Sequence, residues 1–410
     1  MAYILKIYDT DLVRFEMFRD GLSGLNVKIT DVNHDFMHLM PLDLEFTGEG
    51  MFKWLKRRVI PKNRAFVDEI LRSLRLTLND TKGIIDVCKG LSLNDSYWVV
   101  PDDFSGKFSD FNLYQNRFSE ALSLIAYTGV GYGNTVFTTS PELTTNGTLP
   151  KAWRNKEGKL YLYKGGSSGG VNTGREPYVE FYAYQIAEQM GLNAVPYTLE
   201  RWKGITASVC PLFCDIDTAY VPVYQVVRSG GLPAVLEYYS ARGSAFKEHI
   251  HSMLVFDALI YNTDRHYGNF GFLRDNKSGE IIAPAPIFDN GCGLMKNAYG
   301  DDDFKDLLEY ARVYTPPYDG VTFEEICSFV MGKQQKAELR KLIGFKFKRH
   351  PSLNLPEFHL KALEQFLQSR VRELLSIPAD ERSATDSNQH VNPEMVKIQY
   401  DTYRIEDESA

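Results

Sequence analysis

Cysteine is scarce: five residues in 410, at Cys88, Cys210, Cys214, Cys292 and Cys327. So few, and so scattered, they exclude a disulfide-stapled secreted framework, and the chain is long enough to bury a core without one. Cys210 and Cys214 have the spacing of half a zinc site, but no second pair matches it to complete four ligands. No run reaches the roughly 18 apolar residues of a membrane helix. The opening stretch, MAYILKIYDTDLVRFEMF, has no cleavable apolar core. The expectation is a cytoplasmic protein with reduced thiols and no membrane partner. Charge of one sign is also in short supply. Lys plus Arg is 46 against 53 Asp plus Glu, a net charge of −7, which argues against a protein that coats nucleic acid. A G-x-x-x-x-G-K-[ST] motif is absent, so a P-loop nucleotidase is disfavoured.

What is present is globular: 44% hydrophobic and 24% charged residues. A prior of roughly 150 residues per domain gives two or three domains. The pattern changes along the chain. Residues 1–130 read as an α+β accessory domain, with a strand from Tyr3 to Tyr8 and a basic segment in which Pro61 is placed to begin a helix. Residues 131–235 are strand-rich. Leu160 to Lys164 alternates and runs into GGSSGG, and the helix EPYVEFYAYQIAEQM follows, with Val179, Ala183, Ile186 and Met190 on one face and Gly191 as its cap. Residues 236–375 are mainly helical, built around KEHIHSMLVFDALIYN, which is apolar nearly all round after His251. Residues 376–410 form an acidic tail. A strand-rich N-lobe before a helical C-lobe predicts a ligand cleft between them.

The chemistry concentrates in YNTDRHYGNFGF and APIFDNG. Phosphoryl transfer from ATP needs a carboxylate to accept the proton of the attacking hydroxyl, and hard oxygen ligands for Mg²⁺. Asp264 and Asn269 have the D-x-x-x-x-N spacing of a kinase catalytic loop, and Asp289 is the natural second metal ligand. A hairpin between Phe270 and Ala283 would carry all three to one edge. Taken singly, each piece is commonplace, and Asp289-Asn290-Gly291 alone is simplest as an Asx turn. Lys164, ending its strand, fits the lysine that holds the α- and β-phosphates. Glu180, at the edge of the helix's buried stripe, fits the glutamate that holds the lysine, with Glu176 and Glu188 as rivals. For a phosphate-covering loop the candidates are TTNGTLPKAW, with one glycine, and GVGYGN at 129–134, which lacks a strand–helix context.

At these residues the sequence resembles the HipA-type serine/threonine kinases, the toxin kinases of bacterial toxin–antitoxin modules and their stand-alone relatives. The resemblance is good over about 140–295, looser over the helical lobe and weak over residues 1–130. It implies a two-lobed, protein-kinase-like α+β fold. The family's loop S-x-x-G-x-Q-x-K falls on Thr144 to Lys151, with Gly147 and Lys151 as its ATP-binding residues, though Leu149 stands where the glutamine would be. The family's serine falls on Thr144, whose autophosphorylation would add about −1.5 to −2 charges and compete with the phosphates of ATP. The adenine hinge falls near Leu212 and Phe213. D-x-H-x-x-N falls on Asp264, His266 and Asn269, as base, supporting imidazole and metal ligand. IFDNG departs from the family's usual metal motif.

The implied function is an ATP- and Mg²⁺-dependent protein kinase acting on a protein hydroxyl, with a helix-turn-helix antitoxin as the partner of a toxin module. Two other readings keep the same residues. One is a small-molecule or lipid-headgroup kinase, with Asp301-Asp302-Asp303 receiving a cationic substrate. The other is a non-catalytic kinase-like binding module. There GKQQKAELRKLIGFKFKRH, with seven basic residues and one Glu between Gly332 and His350, would meet phosphate backbones. The exposed face of a helix is the simpler account of that run, and direct nucleic-acid binding is not expected.

Overall fold

The structure is a computed structural model, and it describes residues 1–20, 24–131, 139–170, 173–298 and 301–378. Half of the GVGYGN segment (132–134), and the acidic tail beyond residue 378, lie outside the described residues. Contacts divide the chain into two units that interleave in sequence. Met1–Gly169, Pro196–Val221 and Phe272–Ala285 make the first, and Gly170–Val195, Pro222–Gly271 and the chain from Pro286 make the second.

The first unit opens with β1 (Ala2–Ile7), β2 (Thr10–Asp20) and β3 (Gly24–Val32), joined later by β4 (Tyr97–Pro101) in an antiparallel sheet of order β3-β2-β1-β4. Its helices are α1 (Gly48–Lys56), α2 (Val67–Ser73), α3 (Thr81–Cys88), α4 (Phe108–Phe111) and α5 (Glu120–Thr128). The sheet buries Tyr3, Leu5, Ile7 and Phe15 against Met51, Trp54, Ile70 and Ile84. Pro61 does not begin a helix. It sits in a turn between α1 and α2, and α2 starts only after Phe66, which takes a left-handed conformation at φ 58.

A second sheet holds β5 (Lys151–Lys156), β6 (Lys159–Lys164), β7 (Thr198–Trp202) and β8 (Ile205–Pro211) in the order β5-β6-β8-β7. Both of its hairpins close on two residues of positive φ, Glu157-Gly158 and Lys203-Gly204. That is the geometry whose twist matches the flanking strands. A third sheet joins β9 (Thr218–Pro222), β10 (Gly271–Asp275) and β11 (Ile281–Pro284), so the expected hairpin between Asn269 and Asp289 is present.

The second unit is helical: α6 (Glu176–Met190), α7 (Gly231–Ser240), α8 (Ser244–Ile260), α9 (Asp301–Lys305), α10 (Leu307–Ala311), α11 (Phe323–Val330), α12 (Lys333–Arg340) and α13 (Glu357–Ser376). Helix α8 is buried continuously from Ser252 to Ile260 and packs against α7, α11, α12 and α13. An apolar surface all round leaves it no other place. Val179, Ala183, Ile186 and Met190 of α6 are likewise buried, and Gly191 caps it at φ 86. Among the described residues no helix is long and apolar enough to cross a membrane.

One buried ion pair fixes the segment before β5. Arg64 donates to Glu142 (3.0 Å), to Leu149 O (3.2 Å) and to Lys151 O (2.7 Å). Glu142 in turn accepts from Trp153 N (2.8 Å) and Ser123 Oγ (3.4 Å). Removing one partner strands a buried charge. Arg64→Ala should therefore cost about 3–5 kcal/mol, whereas the pair Arg64→Met with Glu142→Leu should recover most of it. Urea unfolding of the full chain tests this, and an unchanged midpoint in Arg64→Ala would show that the pair carries no such load.

Candidate active site

Helix α8 carries one carboxylate, Asp257, inside its apolar run. A buried carboxylate must be paired, and Arg265 pairs it with two parallel bonds, Nε to Oδ2 (2.9 Å) and Nη2 to Oδ1 (3.0 Å). The helix stops at Tyr261, left-handed at φ 52, and Asn262 adds a bond to Asp257 Oδ1 (3.0 Å). The other donors of Arg265 reach two loops. Nη1 bonds Asn269 O (3.0 Å) and Phe288 O, and Nη2 bonds Asn290 Oδ1 (2.6 Å). All five N–H groups are thereby used, on a side chain that is fully buried. Burial pushes the Asp257 carboxyl up, while Asp257 holds the Arg265 guanidinium above its ordinary value despite burial.

This one guanidinium brings the D-x-x-x-x-N loop and the IFDNG loop together. Asp264 is exposed, and its carbonyl accepts from Asn269 Nδ2 (3.0 Å). That bond orients the amide of Asn269, itself buried, so its Oδ1 is the atom left for a cation. Asp289 takes φ 55 in its turn. His266 Nδ1 accepts the N–H of Gly268 (3.0 Å), which leaves the proton of the neutral ring on Nε2. Burial lowers the His266 imidazole below its ordinary value, against the upward pull of both Asp264 and Asp289, so one ring is within electrostatic reach of both carboxylates. Glu180, fully buried on α6, accepts the Asn290 N–H (2.8 Å), and Glu176 pairs with Lys296 (3.3 Å). The Cys292 thiol lies 3.9 Å from Asp264 Oδ2. For a divalent cation, Asn269 Oδ1 and the Asp289 carboxylate are hard oxygen donors. They fit Mg²⁺, which takes one or two protein ligands and completes its shell with water and phosphate.

In the first unit, Lys151 and Lys164 are direct cross-strand partners on β5 and β6, and both are buried, at 7% and 8% exposure. Two like charges on one face of a hairpin end repel, so placing both lysines here carries a cost that their surroundings must offset. Gly147, at φ 99, lies so close to Lys151 that an added Cβ would meet Nζ at 2.1 Å. The lysine end could swing aside, so what favours glycine here is the positive φ, which L side chains rarely adopt. Thr144 is buried, and its hydroxyl donates to Leu91 O (2.8 Å). Leu212 commits its N–H to Leu160 O (2.9 Å), and Phe213 packs edge-on against Tyr220. Cys210 and Cys214 are buried free thiols.

Sequence patterns did not single out Arg265 or Arg64. Asp257, a lone charge in an apolar helix, was the available signal for the first. The basic run is only partly a free surface. Lys341 donates to Met190 O (2.6 Å) at the C-terminus of α6, Lys348 and Gln185 exchange two bonds, and Lys346 and Arg349 both pair with Glu364 of α13. The segment straps α6 to α13.

No known family profile and no curated protein matches this sequence. Solved structures do. HipA of the Shewanella oneidensis MR-1 toxin–antitoxin system, solved with HipB and its operator DNA, aligns with 92% of this chain and 100% of its own at a TM-score of 0.50 and 14% identity. The chain has the HipA-type fold. That likeness confirms the kinase-like α+β class expected from the sequence. The Helicobacter pylori proinflammatory kinase CtkA is also similar, at a TM-score of 0.40 and 21% identity over 55% of this chain and 90% of that one.

Two outcomes follow from the Arg265 arrangement and the His266 ring. Asp257→Asn leaves the Arg265 charge without its counter-ion and should destabilise the second unit by about 3–5 kcal/mol. Hydrogen exchange of α8 would report it, and wild-type protection would contradict it. His266, in the metal-free protein, should titrate below 6.5. Because the folded value is the lower one, stability linked to His266 is complete above the unfolded value and is lost as pH falls through the interval beneath it. Ring-proton NMR that finds a folded value at or above 6.5 would overturn the assignment.

Proposed function

We propose that this chain is an ATP- and Mg²⁺-dependent protein serine/threonine kinase of the HipA type. The observation that supports it best is the binding of both candidate loops by Arg265. Asp264, the exposed carboxylate, accepts the proton of the incoming hydroxyl. Asn269 Oδ1 and Asp289 hold Mg²⁺, which when bound offsets the charge of the phosphates. Lys164 and Lys151 supply positive charge for those phosphates, and the Gly147 turn lets backbone approach them. Glu180 supports the metal loop through the Asn290 N–H, in addition to the lysine-orienting part the resemblance implies. Adenine is read by the Leu212 carbonyl or by Phe213, since the Leu212 N–H is already committed. His266 supports the loop as a neutral ring.

The acceptor is a protein hydroxyl, and the cytoplasm is its compartment. The Shewanella HipA was solved with HipB and operator DNA. A DNA-binding antitoxin of that kind is the partner we propose here. Thr144 is the autophosphorylation site in this reading. Its hydroxyl must leave the Leu91 carbonyl before it can react, so modification should accompany opening of the loop.

A γ-labelled ATP assay on the purified chain, with mass spectrometry of the labelled protein, is the test. Asp264→Ala should lower transfer about 10²–10⁴-fold, and Asp289→Ala comparably. Transfer at the wild-type rate by either variant would end the assignment. Phosphate on Thr144 should appear together with faster proteolysis near Gly147, and an unmodified Thr144 after prolonged incubation with MgATP would remove the self-modification step.

A further inference from the structure

Three pieces of the second unit border a cavity of about 450 Å³: the loop that leaves α6, the first turns of α8, and helix α12. That volume lies within the range of small-molecule sites. The lining runs from exposed residues at the mouth, Ser244 and Gln334 among them, to a buried floor of Ser252, Ile287 and Glu338.

Two carboxylates line this cavity, Glu248 and Glu338. Glu338 is 7% exposed. Its Oε1 accepts from Gln334 Nε2 (3.0 Å), and its Oε2 has no hydrogen bond of ordinary geometry. Glu248 Oε2 accepts from Gln335 Nε2 (2.8 Å), and the same amide reaches Ser252 Oγ (3.1 Å). Among the described residues, the hydrogen-bond partners of both carboxylates are thus neutral amides. Burial pushes the Glu338 carboxyl up and the nearby Glu248 adds to the push, against Ser252, Gln334 and Lys341. Lys341 acts only at a distance, because its Nζ is spent on Met190 O (2.6 Å). A buried acceptor left without a donor is costly, and two carboxylates with no cation between them repel. Leu192 and Ile287 add apolar wall to the same cavity.

We propose that this cavity is a binding site for a small aliphatic cation, an alkylammonium or alkylguanidinium, whose charged head is taken by Glu338 and Glu248 and whose methylenes lie on Leu192 and Ile287. The cation supplies the donor that Oε2 lacks and offsets both negative charges at once. A metal ion fits less well. Among the described residues no group of three acidic, histidine or cysteine side chains converges to hold one, and hard cations ask for about six oxygen ligands. The carboxylates themselves exclude an anion. This site does not depend on the phosphoryl-transfer reading, and its test needs no ATP.

The full chain is titrated calorimetrically at about pH 8, above the ordinary range of carboxylic acids and imidazoles. The probes are putrescine, a diamine, and agmatine, its guanidine counterpart, with butanediol as the neutral analogue. Glu338→Gln and Glu248→Gln each remove one charge with little change of shape. Glu237→Gln, exposed on α7 and outside the cavity, repeats the charge change as a control. At least one of the two cations should bind with a Kd of about 1 mM or below, and butanediol should not bind. Each cavity variant should weaken binding about tenfold or more, and Glu237→Gln should match wild type. The bound cation should also slow hydrogen exchange at Ile287, whose N–H donates to Asn193 O (2.8 Å). Should Glu338→Gln fail to fold, the half-buried Glu248 carries the same test. Absence of binding by both cations, or equal affinity in wild type and the cavity variants, would overturn the proposal.

Discussion

The second unit is organised by one buried cation. Arg265 has five donors, and the fold spends them on three pieces of chain: the carboxylate of α8, the carbonyl of Asn269, and the Phe288–Asn290 turn. Tyr318 closes the arrangement by donating to the Arg265 carbonyl (2.8 Å). A planar fork is suited to this, because its directions are set before any partner arrives. A lysine in its place would keep the charge and lose the geometry. The loops that carry Asp264, Asn269 and Asp289 are therefore not held by regular secondary structure. They hang from a side chain, and that side chain stays where it is because its carboxylate partner, Asp257, is embedded in the apolar run of a buried helix.

The first unit solves a related problem with the same residue type. Arg64 ties the Glu142 side chain to the backbone at Leu149 and Lys151, so both ends of the Gly147 turn are fixed while the turn itself carries no regular hydrogen bonding. The two buried lysines, Lys151 and Lys164, are cross-strand partners at the hairpin end beside that turn.

Much of this was readable before any coordinates. Strand β6, helix α6 with its Gly191 cap, the all-round apolar α8 and the β10–β11 hairpin each follow from local period and turn chemistry. So does the Asp264-to-Asn269 spacing. What was not readable depends on pairs far apart in sequence. Arg64 and Glu142 are 78 residues apart, and Arg274 reaches back 236 residues to His38. Nothing in a local window distinguishes these arginines from solvated ones. Pro61 misled for a similar reason: its fixed φ suits a helix start, but the chain there must turn to bury Arg64, and tertiary demand won over local preference. The basic run around Lys341 looked like a surface feature because its partners, Met190 and Glu364, lie on other helices.

The proposed catalysis requires Asn269 and Asp289 to share a divalent ion bound to nucleotide. Anomalous diffraction from crystals of the full chain grown with Mn²⁺ and a non-hydrolysable ATP analogue addresses it directly. The prediction is an anomalous peak about 2.0–2.3 Å from Asn269 Oδ1 and from an Asp289 oxygen, with the γ-phosphate facing Asp264. A well-occupied nucleotide whose metal touches neither side chain would contradict it.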